Sequence, residues 1–130
     1  MSLTATVARN VEDALFRQTS FVGPAKFWVA LFDGTDTELS YSGYGRQEVD
    51  NNSASWGAND TIPANVVPIT FVGPTTAGPH TPATAWKLMS ASSGGFAYVQ
   101  ANLVTPRTPQ EDVDMVFNAG DLSHAQLPTS

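Results

Sequence analysis

The 130-residue sequence contains no cysteine. It therefore has no disulfide framework, no thiolate metal site and no cysteine nucleophile. Charged residues are also scarce, at 14% of the chain, against about 25% in an average soluble domain. No apolar run approaches the roughly 18 residues that a membrane-spanning helix requires. These absences leave a chain whose surface is built mainly from Thr, Ser, Asn, Gln, Gly and Pro.

Basic residues are fewer than acidic ones. The sequence has 6 Lys and Arg but 12 Asp and Glu, which gives a net charge of −6. Nucleic acids and anionic membranes both attract proteins that carry a cationic face. We therefore expect neither nucleic acid nor membrane as a partner. The first residues lack the basic and apolar regions of a secretory signal, so we expect synthesis in the cytoplasm of the producing cell.

What is present is a series of short apolar segments separated by turn residues, including 10 Gly and 9 Pro. The N-terminal apolar residues recur at spacings of three and four, which predicts a helix; they are Leu3, Val7, Val11, Ala14 and Leu15. Residues 25–32 are apolar on both faces of an extended chain. That pattern is typical of a strand covered on both sides.

The remaining strands follow at intervals of about ten residues. We predict strands over 44–49, 65–71, 83–91, 96–103 and 113–117, a hairpin turn at 92–95, a hard turn at 105–109 and a last short strand or tail over 122–127. Many short strands after one helix predict a mainly β chain. We expect an antiparallel β-sandwich of jelly-roll or immunoglobulin-like size. It would form one domain over 1–130, with a helical arm over 1–22 and the sandwich over 25–127.

Motifs that carry enzyme chemistry are missing from the sequence. The two histidines, His80 and His124, do not form a metal-ligand pair. Asp33, Asp36 and Glu38 fall close together, but their spacing does not match a calcium-binding loop. The chain also lacks a nucleophile elbow, a phosphate-binding loop and a dinucleotide fingerprint. We therefore predict no catalytic residue, no metal and no cofactor.

The order of several short motifs resembles a group of small structural proteins of tailed bacteriophages, which are labelled tail fibre or minor tail proteins. The resemblance spans about residues 10–124. The motifs are 24–32 (Pro-Ala-Lys-Phe-Trp-Val-Ala-Leu-Phe), 42–49 (Ser-Gly-Tyr-Gly-Arg-Gln-Glu-Val), 69–71 (Ile-Thr-Phe), 94–95 (Gly-Gly), 103–108 (Leu-Val-Thr-Pro-Arg-Thr) and 117–122 (Phe-Asn-Ala-Gly-Asp-Leu). Residues 51–65 and 73–82 depart from the pattern of the group.

The resemblance implies a non-enzymatic component of the virion. Such a protein binds other phage structural proteins, such as major capsid or tail proteins, and copies of itself. Two positions on the particle remain open at this point: a capsid decoration (cement) protein, or a component of the tail or fibre. The candidate interface residues are Tyr44, Arg46, Trp56 and Arg107, because aromatic rings and the guanidinium group are enriched in protein interfaces.

Alternative interpretations remain for these residues and for the chain. Arg46 can instead bond carbonyl oxygens of its own loop, as can the neighbouring Gln47, and Trp56 can fold back onto the core. A carbohydrate-binding module would use Trp56, Tyr41 and Tyr44 as a stacking platform, which requires coplanar exposed rings. A small hydrolase would use His80 with one of three carboxylates, Asp36, Glu38 or Asp114.

Overall fold

A computed structural model describes residues 2–18, 24–51, 56–57, 64–119 and 121–122. Every strand pairing within these residues is antiparallel. The predicted mainly β architecture with one N-terminal helix is confirmed. The elements are β1 (Ser2–Leu3), α1 (Ala5–Arg17), β2 (Lys26–Phe32), β3 (Gln47–Asp50), β4 (Trp56–Gly57), β5 (Ala64–Asn65), β6 (Ile69–Phe71), β7 (Ala83–Met89), β8 (Ala97–Arg107) and β9 (Met115–Phe117).

The largest sheet has 5 strands in the order β1-β8-β7-β2-β3. Strand β2 lies inside it and pairs with β7, from Trp28 opposite Met89 to Phe32 opposite Ala85. The last four residues of β2 are all buried, because both faces of the strand are covered. The strand that the sequence predicts over 25–32 is therefore present, but it is buried only in its second half. Strand β3 forms one edge of the sheet, beside β2.

A second layer packs on one face of this sheet and encloses the main hydrophobic core. It consists of β6 and β9, which pair with each other from Ile69 opposite Phe117 to Phe71 opposite Met115. The indole of Trp86 in β7 is fully buried. Each such large side chain contributes roughly 1.5–3 kcal/mol when it leaves water. The other fully buried side chains of the core include Val29, Leu31, Phe71, Phe117 and Leu122.

The helix is shorter than the sequence predicts. Leu3 belongs to β1 and pairs with Val99, so α1 begins only at Ala5. It ends at Arg17 because Gln18 adopts a left-handed backbone conformation with φ of 55°. Its first turn is held to the body by the backbone amide of Thr4, which donates to the carbonyl of Tyr98 over 3.1 Å.

Several predicted boundaries differ from the structure; the strand predicted over 44–49, for example, begins only at Gln47. The segment 65–71 is divided into β5 and β6, since Val66, Val67 and Pro68 lie outside both strands. The predicted turn at 105–109 is wrong, because β8 continues through Pro106 to Arg107. The pairing of β7 with β8 shifts register between Ala83 and Ala85, and such a bulge accommodates a proline within a strand. The predicted strand over 122–127 lies outside the described residues beyond Leu122.

A buried amide joins three separate segments at one end of the core. The side chain of Asn65, 2% exposed, donates to the carbonyls of Val67 and Asn118 over 2.9 and 3.0 Å. Its oxygen accepts the backbone N–H of Leu122 over 2.9 Å. The buried polar group is therefore paired, as burial requires. No helix of the described residues is long and apolar enough to cross a bilayer.

Candidate functional site

The loop after β2 folds into a tight turn around the carboxylate of Asp33. One oxygen of Asp33 accepts the backbone N–H groups of Thr35 and Thr37 over 2.8 and 3.0 Å, and it accepts the Thr35 hydroxyl over 2.7 Å. The hydrogen bond from the Thr35 hydroxyl, together with the two backbone bonds, lowers the pKa of Asp33. The turn reverses the chain and brings Glu38 opposite Phe32.

Glu38 and Arg46 form a two-bond ion pair beside this turn. The guanidinium Nε and Nη2 donate to the two carboxylate oxygens, each over 2.9 Å. The Arg46 side chain is only 8% exposed, whereas that of Glu38 is 26% exposed. Because the paired geometry fixes both groups, the pair holds the loop after β2 against the segment that leads into β3.

The same guanidinium reaches the hairpin that connects β7 and β8. Its Nη1 donates to the carbonyl of Ala91 over 2.7 Å and to that of Gly94 over 2.9 Å. The neighbouring Gln47 donates to the carbonyl of Gly45 over 2.9 Å. Both side chains therefore bond carbonyl oxygens, as the alternative interpretation of the sequence held. We call the group of Glu38, Tyr44 and Arg46 the Arg46 clamp.

Tyr44 completes the clamp from the side of the core. Its hydroxyl donates to Glu38 over 2.7 Å and accepts the backbone N–H of Leu31 over 3.1 Å. Its ring stacks on Phe71 with a centroid distance of 6.1 Å. Burial and the hydrogen bond to Glu38 raise the pKa of Tyr44 far above its ordinary value, so the hydroxyl remains a donor at every physiological pH.

Opposing effects act on the carboxyl group of Glu38. Burial penalises its charged form and by itself would raise its pKa. The hydrogen bonds from Arg46 and Tyr44 act in the opposite direction, as do the charges of Arg46 and Lys87. These effects outweigh burial, so the pKa of Glu38 lies below its ordinary value. Lys87 itself pairs with Asp36 over 2.8 Å and lies 4.2 Å from the ring centre of Phe32. The carboxylate of Glu38 therefore stays charged at neutral pH, and both of its oxygens accept hydrogen bonds from within the chain.

This pKa shift predicts how acid affects folding. A carboxyl group with a lowered pKa in the folded state stabilises the fold fully above its unfolded pKa, about 4.3 for Glu. That stabilisation is lost as the pH falls through the lower folded pKa. Urea titrations of the wild type and of Glu38→Gln should thus converge below about pH 4. Glu111→Gln, at an exposed position, should retain the wild-type pH dependence, and parallel curves for the wild type and Glu38→Gln would contradict the assignment.

Arg107, another predicted interface residue, forms a separate group at the end of β8. Its Nη1 donates to the carbonyl of Val116, and its Nη2 lies 3.1 Å from Asp121. The guanidinium carbon lies 4.5 Å from the ring centre of Phe117. Asp121 also accepts the backbone N–H of Asn118 over 2.9 Å. Arg107 thereby joins β8 to the turn after β9, and the structure does not bring it together with the Arg46 clamp.

Trp56, the remaining predicted interface residue, lies in β4, where its backbone pairs with Asn65. Its side chain lies outside the described part of the structure. The rings of Tyr41 and Tyr44 are inclined at 74°, and the Tyr41 hydroxyl donates to the carbonyl of Val72 over 2.6 Å. These two rings therefore do not form the coplanar platform that a carbohydrate-binding module requires.

The groups considered for hydrolysis each have a partner within the chain. His80 bonds the carbonyl of Thr76 over 2.9 Å, and Asp114 accepts the backbone N–H of Gly73 over 3.0 Å. Asp36 and Glu38 are paired with Lys87 and Arg46. Within the described ranges, no three His, Asp or Glu side chains lie close enough together to hold a metal ion.

The surface around the clamp is a shallow depression of about 380 Å³. Ser40, Tyr41, Ser92 and Ser93 line it beside the clamp. Because the carboxylate and most of the guanidinium donors bond the chain itself, this arrangement joins loops and shapes a surface. The sequence did not predict Glu38 as the partner of Arg46, because a separation of 8 residues in a turn-rich segment gives no periodic signal.

Comparison with known proteins agrees with a structural role. No match to the chain is found among curated proteins. A model of the protein family described as "Podophage GP4 fiber I protein gp80" matches residues 2–125. This match spans almost all of the chain, including the Arg46 clamp, Arg107 and α1, and it confirms the resemblance to tailed-phage fibre proteins. The chain belongs to the podophage GP4 fiber I protein gp80 family.

Proposed function

We propose that this protein is a non-enzymatic structural component of the phage fibre and assembles there with copies of itself and with other virion proteins. The observation that carries the proposal is the family match over residues 2–125. The fibre description of the family favours a fibre position over capsid decoration. The virion is accordingly the proposed location of the protein.

The chemistry of the described side chains supports a structural role. The carboxylates of Glu38, Asp114 and Asp121 bond groups of their own chain. These bonds join separate segments of the chain and leave the groups without the free, converging arrangement that catalysis uses. An assembly protein needs fixed surface loops, since ordering them at an interface costs conformational entropy.

We also propose different roles for the four candidate interface residues. Tyr44, Arg46 and Arg107 would support contacts indirectly, by fixing the loops that carry them, because their polar atoms already bond the chain. Trp56 would contact a partner directly, as expected of a large aromatic ring in a polar segment. Both roles are compatible with a low-charge surface that packs against other proteins.

The test is to locate the protein on purified particles. Gold-labelled antibodies against the chain should bind the fibres in electron micrographs, and mass spectrometry of density-purified virions should detect the protein in several copies per particle. A non-structural phage protein, followed in the same preparation, controls for carry-over from the lysate. Labelling of the capsid alone would contradict the fibre position, and absence from the particles would contradict the structural role.

A further inference from the structure

Helix α1 turns one face to the body of the protein and the opposite face to solvent. Val7 is 5% exposed and anchors the inner face. On the other side, Ala5, Arg9, Glu12 and Phe16 follow each other at spacings of four, three and four residues, which places them on one face of a helix. All four are exposed, and Phe16 is 75% exposed. We call these four residues the outer face of α1.

Arg9 differs from the other basic residues, because it forms no ion pair with the described residues. Five of the 6 basic residues form ion pairs: Arg17, Lys26, Arg46, Lys87 and Arg107. Arg9 is the basic residue without an ion pair among the described residues, and Glu12 likewise has none there. The outer face therefore carries a cation and an anion in succession, with the exposed Phe16 one turn beyond Glu12. These charges are complementary to those of the same face in the reverse direction.

We infer that the outer face of α1 binds the same face of a second copy, with the two helices antiparallel. In this arrangement Arg9 lies opposite Glu12 of the second copy, and Phe16 lies opposite the small Ala5. The exposed Leu15, 71% accessible, flanks the contact and meets Ala8 of the second copy. A parallel arrangement would instead place Arg9 beside Arg9 and Glu12 beside Glu12, so charge selects the antiparallel pair.

The charge of α1 also favours a second copy over other occupants. The helix carries Arg9 and Arg17 against Glu12 and Asp13, so its charges cancel, whereas the whole chain carries −6. Two acidic copies therefore approach each other at α1 without the repulsion that acts elsewhere. The helix lacks the row of basic residues that binds a membrane surface or nucleic acid.

The contact is small, because 13 residues make a helix only about 20 Å long. That length covers much less than the roughly 800 Å² per partner of a standard interface. We therefore expect weak association in solution, strengthened where copies are held close together on a particle. The inference thus rests on the proposed function for its biological setting, but the contact itself is measurable with the isolated chain.

Charge reversal tests the contact in the full chain. Sedimentation equilibrium at low salt and at concentrations up to about millimolar should show reversible association of the wild type. Arg9→Glu and Glu12→Arg should each weaken association about ten-fold, because each places like charges opposite one another. The double variant Arg9→Glu/Glu12→Arg exchanges the charges and should restore wild-type association. Circular dichroism of each variant checks that the helix remains folded.

A matched control separates this contact from the effect of net charge. Glu111→Arg changes the charge as Glu12→Arg does, but at an exposed position outside the helix, and should leave association unchanged. A wild type that stays monomeric at every concentration, or a double variant no tighter than the single variants, would overturn the inference. These outcomes are distinguishable from failure of the proposed function, which is measured by the location of the protein on particles.

Discussion

Replacing Arg46 with alanine is expected to lower the free energy of unfolding by about 3 kcal/mol, since one partner of a largely buried ion pair is lost. The guanidinium is 8% exposed, and it bonds Glu38 and the carbonyls of Ala91 and Gly94. Alanine removes all of these bonds and leaves a carboxylate beside the core without its cation. For a chain of this size, the loss corresponds to a fall in melting temperature of about 10 °C.

A double-mutant cycle determines how much of this loss comes from the ion pair. Glu38→Ala should be costly alone, but the double variant Arg46→Ala/Glu38→Ala should be more stable than the sum of the two single losses predicts, by at least about 1 kcal/mol. Arg46→Lys retains the charge but not the planar two-bond geometry, and should lie between the wild type and Arg46→Ala. Strictly additive losses would show that the clamp does not act as a unit.

The second large effect is expected at Gly73, where two loops touch through their backbones. A Cβ atom added there would lie 2.2 Å from the carbonyl oxygen of Val113, well inside the contact distance of real atoms. The same contact is held by the bond from Gly73 to Asp114 over 3.0 Å and by the amide of Asp112, which donates to Pro74 over 2.9 Å. Gly73→Ala must separate the loops and should cost about 3 kcal/mol.

Gly34→Ala provides the matched control for this prediction. No atom outside its chain neighbours lies within 4 Å of a Cβ built at Gly34. Both substitutions restrict the unfolded chain equally, so the difference between them reports the clash at Gly73 alone. Urea unfolding of the two variants measures that difference. Equal stability of Gly73→Ala and Gly34→Ala would mean that the two loops do not pack as described.

Sequence reasoning succeeded where the signal is local. Strand β2 is continuously apolar from Phe27 to Phe32, and the Gly94-Gly95 turn lies between two apolar strands. Such patterns depend on the geometry of one segment and its burial. The predicted helix begins too early in the sequence. Leu3 fits the helical spacing, but it belongs to β1 because it pairs with Val99. Tertiary pairing there outweighs local periodicity.

The contacts that join segments far apart in sequence had no comparable signal. Arg46 bonds carbonyls 45 and 48 residues away, and Asn65 bonds groups 53 and 57 residues away. Nothing in the composition around Arg46 or Asn65 reveals these partners, because backbone carbonyls and amides are present at every residue. The sequence therefore predicted Arg46 as an important residue, but it did not predict how the side chain is used.

The strand order of the large sheet has a consequence for synthesis of the protein. Ser2 and Leu3 leave the ribosome before their partners Gln100 and Val99, which are far away in the sequence. Strand β2 likewise waits for β7. Non-local pairings of this kind fold slowly, and unpaired strand edges invite aggregation while they wait. The partners of β1 and β2 in β8 and β7 are therefore missing from the nascent chain until these later strands have left the ribosome.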